Sequence, residues 1–113
     1  MIAFCTPVAA ETVTSELLRD YDRNQNRLLT EQALIATENG FGWANADLKR
    51  RNLPPLYCIG PYLVPTGAQL GDILRRSMKR EPWLADAPYG MALLMAMQVT
   101  FPCDKSDAAC PSP

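Results

Sequence analysis

Four prolines fall within the fourteen residues "NLPPLYCIGPYLVP", Asn52 to Pro65. No helix can run through such a stretch, because each ring removes a backbone donor and clashes with the preceding turn. The chain must cross here as an extended, turn-rich connection between two helical regions. Upstream, "ETVTSELLRDYD" sets Leu17, Leu18 and Tyr21 on one side, with Thr12 or Thr14 available as cap, and predicts a short first helix. After the polar "DRNQN", apolar or small residues recur at three and four from Arg27 to about Arg51: Leu29, Ala33, Ala36, Gly40, Trp43 and Ala44. That spacing predicts the longest helix, with this stripe inward and Trp43 in the core. Gly40 and Gly42 each cost about 1 kcal/mol against alanine, so close packing, with a kink, is expected at "NGFGWAN".

Downstream of the prolines, Thr66 with Gln69 three residues on has the capping-box spacing. Leu70, Ile73, Leu74 and Met78 then form an apolar stripe opposite Asp72, Arg75, Arg76 and Lys79. A second connection, "REPWLADAP", leads to Tyr89–Phe101, where only Gln98 and Thr100 break the apolar surface. A helix apolar nearly all round is buried centrally or in an oligomer interface, so Met91, Leu94 and Met95 are candidate dimer or core residues. Pro102 stops it. The fold expected is all-α: a small single-domain bundle of about four helices.

At 113 residues and 48% apolar, the chain has the size and burial capacity of one domain. Eleven basic against twelve acidic side chains leave a net charge of −1, which provides no positive field for a phosphate backbone, and no nucleic-acid partner is expected. The sequence has no histidine, which removes Ser-His and Cys-His catalytic pairs and histidine metal sites; the chain reads as a non-enzyme with no cofactor. No membrane span is expected, since the most apolar run, Gly90 to Val99, is far short of ~20 residues. "DYDRNQNRLLTE" imitates a calcium loop from Asp20 to Glu31, but Gln25 stands where glycine makes the turn and Arg27 where an apolar anchor belongs, so a solvated interhelical loop is expected. The methionines Met91, Met95 and Met97 read as core packing rather than a copper site.

Four cysteines, Cys5, Cys58, Cys103 and Cys110, show no CxxC spacing, and disulfides are their better use. That use needs an oxidising compartment. "MIAFCTPVAAET" carries an apolar stretch and a small-residue site, Val8-Ala9-Ala10, but lacks a basic start; it reads either as the remnant of an export signal over residues 1–10 or as an ordinary apolar arm. The domain proper is then 11–103, followed by a small, polar tail, 104–113, expected to be flexible. Cys58 lies just before the third helix and Cys103 just after the last, so the two meet if those helices run antiparallel, closing a loop of about 46 residues. Cys5 and Cys110 pair as well unless cleavage after Ala10 removes Cys5. Trp83, in a loop between Pro82 and Leu84, is either a packing plug or an interface anchor.

The segment from Leu56 to Cys103 resembles the Rap/Tai group of type VI secretion immunity proteins. The matching positions are Tyr57, Cys58 and Pro61, then Thr66, Gln69, Leu70 and Ile73, then Pro82, and finally Ala92, Leu93, Phe101, Pro102 and Cys103. "NGFGWANADL" is similar to the family's upstream helix, but it lacks a Cys-Gly-Tyr-like element, and Ile59 and Gly60 stand between Cys58 and Pro61. The resemblance implies a periplasmic homodimer that binds and inhibits a cognate peptidoglycan amidase effector, covering its Cys-His cleft with no reactive residue of its own. It does not match the inhibitory loop to positions in this chain. By chemistry the connections are the candidate partner-binding surface, with Trp83 first and Glu81, Leu84 and Asp86 beside it. The alternative is a periplasmic acid-stress chaperone of the Hde type, also small, helical and disulfide-linked; the lack of histidine argues against a switch near neutrality, though carboxylates titrate lower.

Overall fold

The computed structural model describes residues 12–60 and 63–103; the export-signal reading, Cys5, Cys110 and the tail lie outside the described residues. Four α-helices run in chain order: α1 Thr14–Asp22, α2 Arg27–Arg50, α3 Gly67–Arg80 and α4 Tyr89–Thr100, with a 3₁₀ turn at Pro82–Asp86 between α3 and α4. Among the described residues the only extended pairing is an isolated bridge between Val13 and Pro88. The fold is the all-α domain expected.

Neither threonine caps α1. Val13 holds the N-cap position, and Thr14 lies fully buried inside the helix. Its amide and its hydroxyl both donate to the Ala87 carbonyl at 2.9 Å, and the Tyr89 amide donates to the Thr12 carbonyl at 3.1 Å. The orphan donors at the starts of α1 and α4 are thus satisfied by each other's flanking chain, which pins the two N-termini together. Only four residues separate α1 from α2, and Asn24 and Asn26 turn the chain there at φ 59° and 50°, a region asparagine tolerates. Asp20 and Glu31 consequently sit within helices; Asp22 binds Arg75 at 2.5 Å, and Glu31 accepts the Tyr21 hydroxyl at 2.7 Å. A twelve-residue calcium loop does not exist.

Helix α2 is continuous over 24 residues, about 36 Å, with no break at its glycines. Its orientation corrects the sequence reading. The buried or half-buried side is Thr30, Leu34, Glu38, Phe41, Asn45 and Leu48, while Leu29, Ala36, Gly40, Trp43 and Ala44 face out, Trp43 at 78% exposure. Glu38 and Asn45 hold the inner side because both have partners: Tyr57 donates to Glu38 at 3.0 Å, and the Leu56 amide donates to the Asn45 side chain at 2.7 Å. A satisfied polar group is tolerated on a packed face. The close packing expected at Gly40 and Gly42 is also absent: nothing lies within 4 Å of where a Cβ would stand at either. It occurs instead at Gly67, where a Cβ would come within 2.5 Å of the Glu31 Cβ, so the start of α3 lies directly on α2.

The capping box forms as read, Thr66 Oγ1 accepting from the Gln69 amide at 3.1 Å and Gln69 Oε1 accepting from the Thr66 amide at 2.9 Å. Leu70, Ile73 and Leu74 of α3 enter the core, joined by Leu17 and Leu18, Leu34, Tyr57 and Leu84. Helix α4 returns antiparallel to α3, since its end residues Thr100 and Phe101 line one cleft with Pro65, Gln69 and Ile73 from the start of α3. It is covered within the monomer: Ala92, Leu93, Ala96 and Met97 are fully buried, and Leu94 and Met95 pack half-buried against them. Met91 alone of the three candidate residues is outside, at 45% exposure. The antiparallel return brings Cys58 and Cys103 together in a disulfide, with Cα atoms 4.9 Å apart.

Two glycines of opposite surroundings test this packing. Gly42→Ala, on an open helical surface, raises stability by about 1 kcal/mol, whereas Gly67→Ala, pressed on Glu31, lowers it by about 1–3 kcal/mol; urea midpoints at unchanged m-value read both. The disulfide closes a loop of sequence separation 45. The Cys58→Ser, Cys103→Ser double variant is expected to lose about 4 kcal/mol on chain-entropy grounds, and peptide mapping without reduction is expected to recover the 58–103 linked pair.

Candidate functional site

The second connection is a built turn rather than a loose loop. The α3 helix ends as the Glu81 amide donates to the Ser77 carbonyl, and Glu81 breaks from helical geometry at φ −131°, ψ 85°. Pro82 then opens the 3₁₀ turn, where its fixed φ costs nothing. Backbone bonds from the Leu84 amide to Glu81 and from the Ala87 amide to Leu84, at 3.0 and 3.1 Å, hold it. Residues three apart eclipse in such a turn. Leu84 and Ala87 therefore share the inner side, at 1% and 6% exposure, and Trp83 and Asp86 share the outer side.

This divides the candidate partner-binding residues. Trp83 is half exposed at 51%, with Glu81 and Asp86 exposed beside it. Leu84 does not belong with them: it is a core side chain, and its burial is what fixes the turn that presents Trp83. Trp83 is thus not a plug of the core. Basic residues Arg76, Lys79 and Arg80 close the end of α3 next to this acidic turn.

A second feature lies where the proline-rich connection crosses α2. Tyr57 is buried, its ring edge-on to Phe41 with centroids 6.4 Å apart, and its hydroxyl donates to Glu38. Burial, and after it the hydrogen bond to Glu38 and that carboxylate's charge, holds the Tyr57 hydroxyl well above the ordinary tyrosine range. Tyr21 is shifted the same way, by burial first and then by its bond to Glu31, with Arg27 stacked 4.2 Å over its ring. Both tyrosines act as fixed donors that turn the α2 carboxylates toward the body of the protein.

The consequence is a surface the sequence reading missed. From Leu28 to Ala46, α2 has two charged side chains, Glu31 and Glu38, and both are the ones engaged by tyrosines. The solvent side of these five turns is poor in charge: it carries Leu29, Trp43 and an open depression of about 490 Å3 bordered by Glu38, Asn39, Gly42, Trp43 and Ala46. The signal was present in the charge pattern, which the apolar spacing overrode. Among the described residues no three carboxylate, cysteine or histidine side chains cluster to hold a metal, and no helix is long and apolar enough to cross a membrane.

Fold and surface together define a small all-α domain stapled by the Cys58–Cys103 disulfide. The chain matches no family model, no curated protein and no solved structure.

The Tyr57 bond predicts an alkaline instability. A proton held more tightly in the folded state than at the unfolded value of about 10 stabilises fully below that pH, and the contribution falls away as pH rises above it. Tyr57→Phe is expected to cost about 1–2 kcal/mol at neutral pH and to flatten the loss of stability above about pH 10, read from urea midpoints across the alkaline range.

Proposed function

We propose that the protein binds and silences a peptidoglycan-cleaving amidase effector of the type VI secretion system in the periplasm, with the Pro82–Asp86 turn as its contact surface. The observation that carries this reading is the half-exposed Trp83 held on a hydrogen-bonded turn by the buried Leu84. Tryptophan is enriched among residues that dominate binding energy, and a turn already ordered in the free protein loses little freedom on association. Glu81 and Asp86, with Arg76, Lys79 and Arg80 at the adjoining end of α3, surround Trp83 with charges of both signs, a polar rim about an aromatic anchor. A disulfide is compatible with an oxidising compartment. The C-terminal pattern of Tyr57, Cys58, Thr66, Pro82 and Phe101-Pro102-Cys103 points to the immunity class, and a sequence with no histidine suits a protein that acts by covering a site rather than by its own chemistry.

The test is inhibition of a purified cognate amidase by the disulfide-intact protein. Trp83→Ala is expected to weaken binding by about 2 kcal/mol or more, at least thirtyfold in Kd, while the free protein stays folded. Leu84→Ala instead lowers stability by about 2–5 kcal/mol, because it empties the core beneath the turn. No binding at micromolar concentration overturns the reading, and protection of unrelated proteins at acid pH without such binding favours the Hde-type alternative.

A further inference from the structure

A half-open cleft of about 210 Å3 lies where the start of α3 meets the end of α4, away from the Pro82–Asp86 turn. Its floor is the buried Pro65 and Ile73, and its walls are the half-buried Phe101 and the half-exposed Leu63. Arg76 borders this apolar surface. We propose that the cleft receives the carboxyl-terminal end of a peptide chain, with the terminal carboxylate on Arg76 and the last, apolar side chain on Ile73 and Phe101.

Charge selects a carboxylate. Arg76 is exposed, and among the described residues no carboxylate pairs with it. Asp72, which also borders the cleft, is taken by Arg75 at 2.7 Å, and Arg75 holds Asp22 as well. The surroundings stay positive, since Arg75, Arg76, Lys79 and Arg80 against Asp22 and Asp72 leave a net +2. An unpaired guanidinium offers a carboxylate two parallel N–H donors.

Size and geometry select a chain end. The volume is below the roughly 300 Å3 at which pockets for whole small molecules begin, and it suits one side chain. Ile73 and Arg76 are three residues apart and therefore neighbours on one side of α3. The ligand must set an apolar side chain and a carboxylate on the same side of the groove. Consecutive side chains of an extended chain point to opposite sides, so an acidic residue beside an apolar one does not meet that requirement. A C-terminal residue does, because both groups leave one Cα.

The residues before it find partners too. Pro102 has no N–H and the Phe101 amide goes to Met97, so the carbonyls of Gln98, Val99 and Thr100 have no backbone donor among the described residues; Thr100 lines the cleft, where such a carbonyl can accept from a peptide N–H. Gln69 Oε1 is engaged by the Thr66 amide, which leaves its side-chain N–H groups for a peptide carbonyl. From Gln69 to Arg76 is about 10 Å along α3, the length of about three extended residues.

Fluorescence anisotropy of the full chain with short fluorescein-labelled peptides ending in alanine, valine, leucine or phenylalanine, each as free acid and as C-terminal amide, tests this. At least one free acid is expected to bind with a Kd below about 1 mM, and its amide about tenfold more weakly or worse. Arg76→Gln is expected to bring the acid down to the affinity of the amide. Lys79→Gln makes the same change of charge outside the cleft and is expected to keep the affinity within about twofold, with the urea midpoint of both variants unchanged. On titration the amide resonances of Gln69, Arg76, Thr100 and Phe101 are expected to shift. No binding of any free acid at about 1 mM overturns the proposal. Equal binding of acid and amide overturns it as well, and so does an equal loss in Arg76→Gln and Lys79→Gln, which marks a diffuse attraction of anions to α3. Trp83 takes no part, so failure here leaves the amidase reading as it stands.

Discussion

Three consecutive residues, Leu56, Tyr57 and Cys58, hold the molecule together by tying its connection to two helices at once. The Leu56 amide binds the Asn45 side chain, the Tyr57 hydroxyl binds Glu38, and Cys58 is joined to the end of α4 through its disulfide and through its amide, which donates to the Phe101 carbonyl at 2.9 Å. The connection has to be extended, because its prolines forbid a helix. An extended segment has unpaired backbone and side-chain groups to satisfy, and it satisfies them on α2. What looks like a linker is therefore the clamp between the longest helix and the most buried one.

That clamp decides how α2 is rotated. Glu38 and Asn45 must face the connection, and Glu31 must face Tyr21, so the residues two positions earlier, Leu29, Ala36 and Trp43, about 200° round the helix, are turned to the outside. The hydrophobic gain from burying Trp43 within the monomer, on the order of 2–3 kcal/mol, loses to three satisfied polar contacts and the burial of Leu34 and Tyr57. The exposed tryptophan and the charge-poor helix side have a single origin in this balance. The acidic turn at Trp83 has a different one, the threefold repeat of a 3₁₀ turn pinned by Leu84. The two surfaces lie on different elements and owe their exposure to different contacts.

Local rules carried much of the fold. The prolines bounded the crossing, Thr66 and Gln69 marked the start of α3 by a box whose two bonds are both made, and the positions of Cys58 and Cys103 around two helices implied their pairing. Those features depend on groups a few residues apart or on chain topology. The first cap was misread for the opposite reason: Thr14 serves Ala87, seventy-three residues away, and nothing near it in sequence announces that partner. The turn bearing Trp83 was legible as a candidate surface, but whether Leu84 pointed outward with it was not, because a 3₁₀ turn has no periodic signature in five residues.

By itself, then, the sequence determined where the helices lie, though not how the first is capped, that the fold is all-α, and that Cys58 and Cys103 pair, since these rest on backbone chemistry, local capping and order along the chain. Tertiary structure alone decided which side of α2 is inside and which glycine is crowded. Two candidate faces of one helix differed by a single residue of offset, and the choice fell to hydrogen bonds from Tyr21, Leu56 and Tyr57, made across 10, 11 and 19 residues, which no local periodicity encodes.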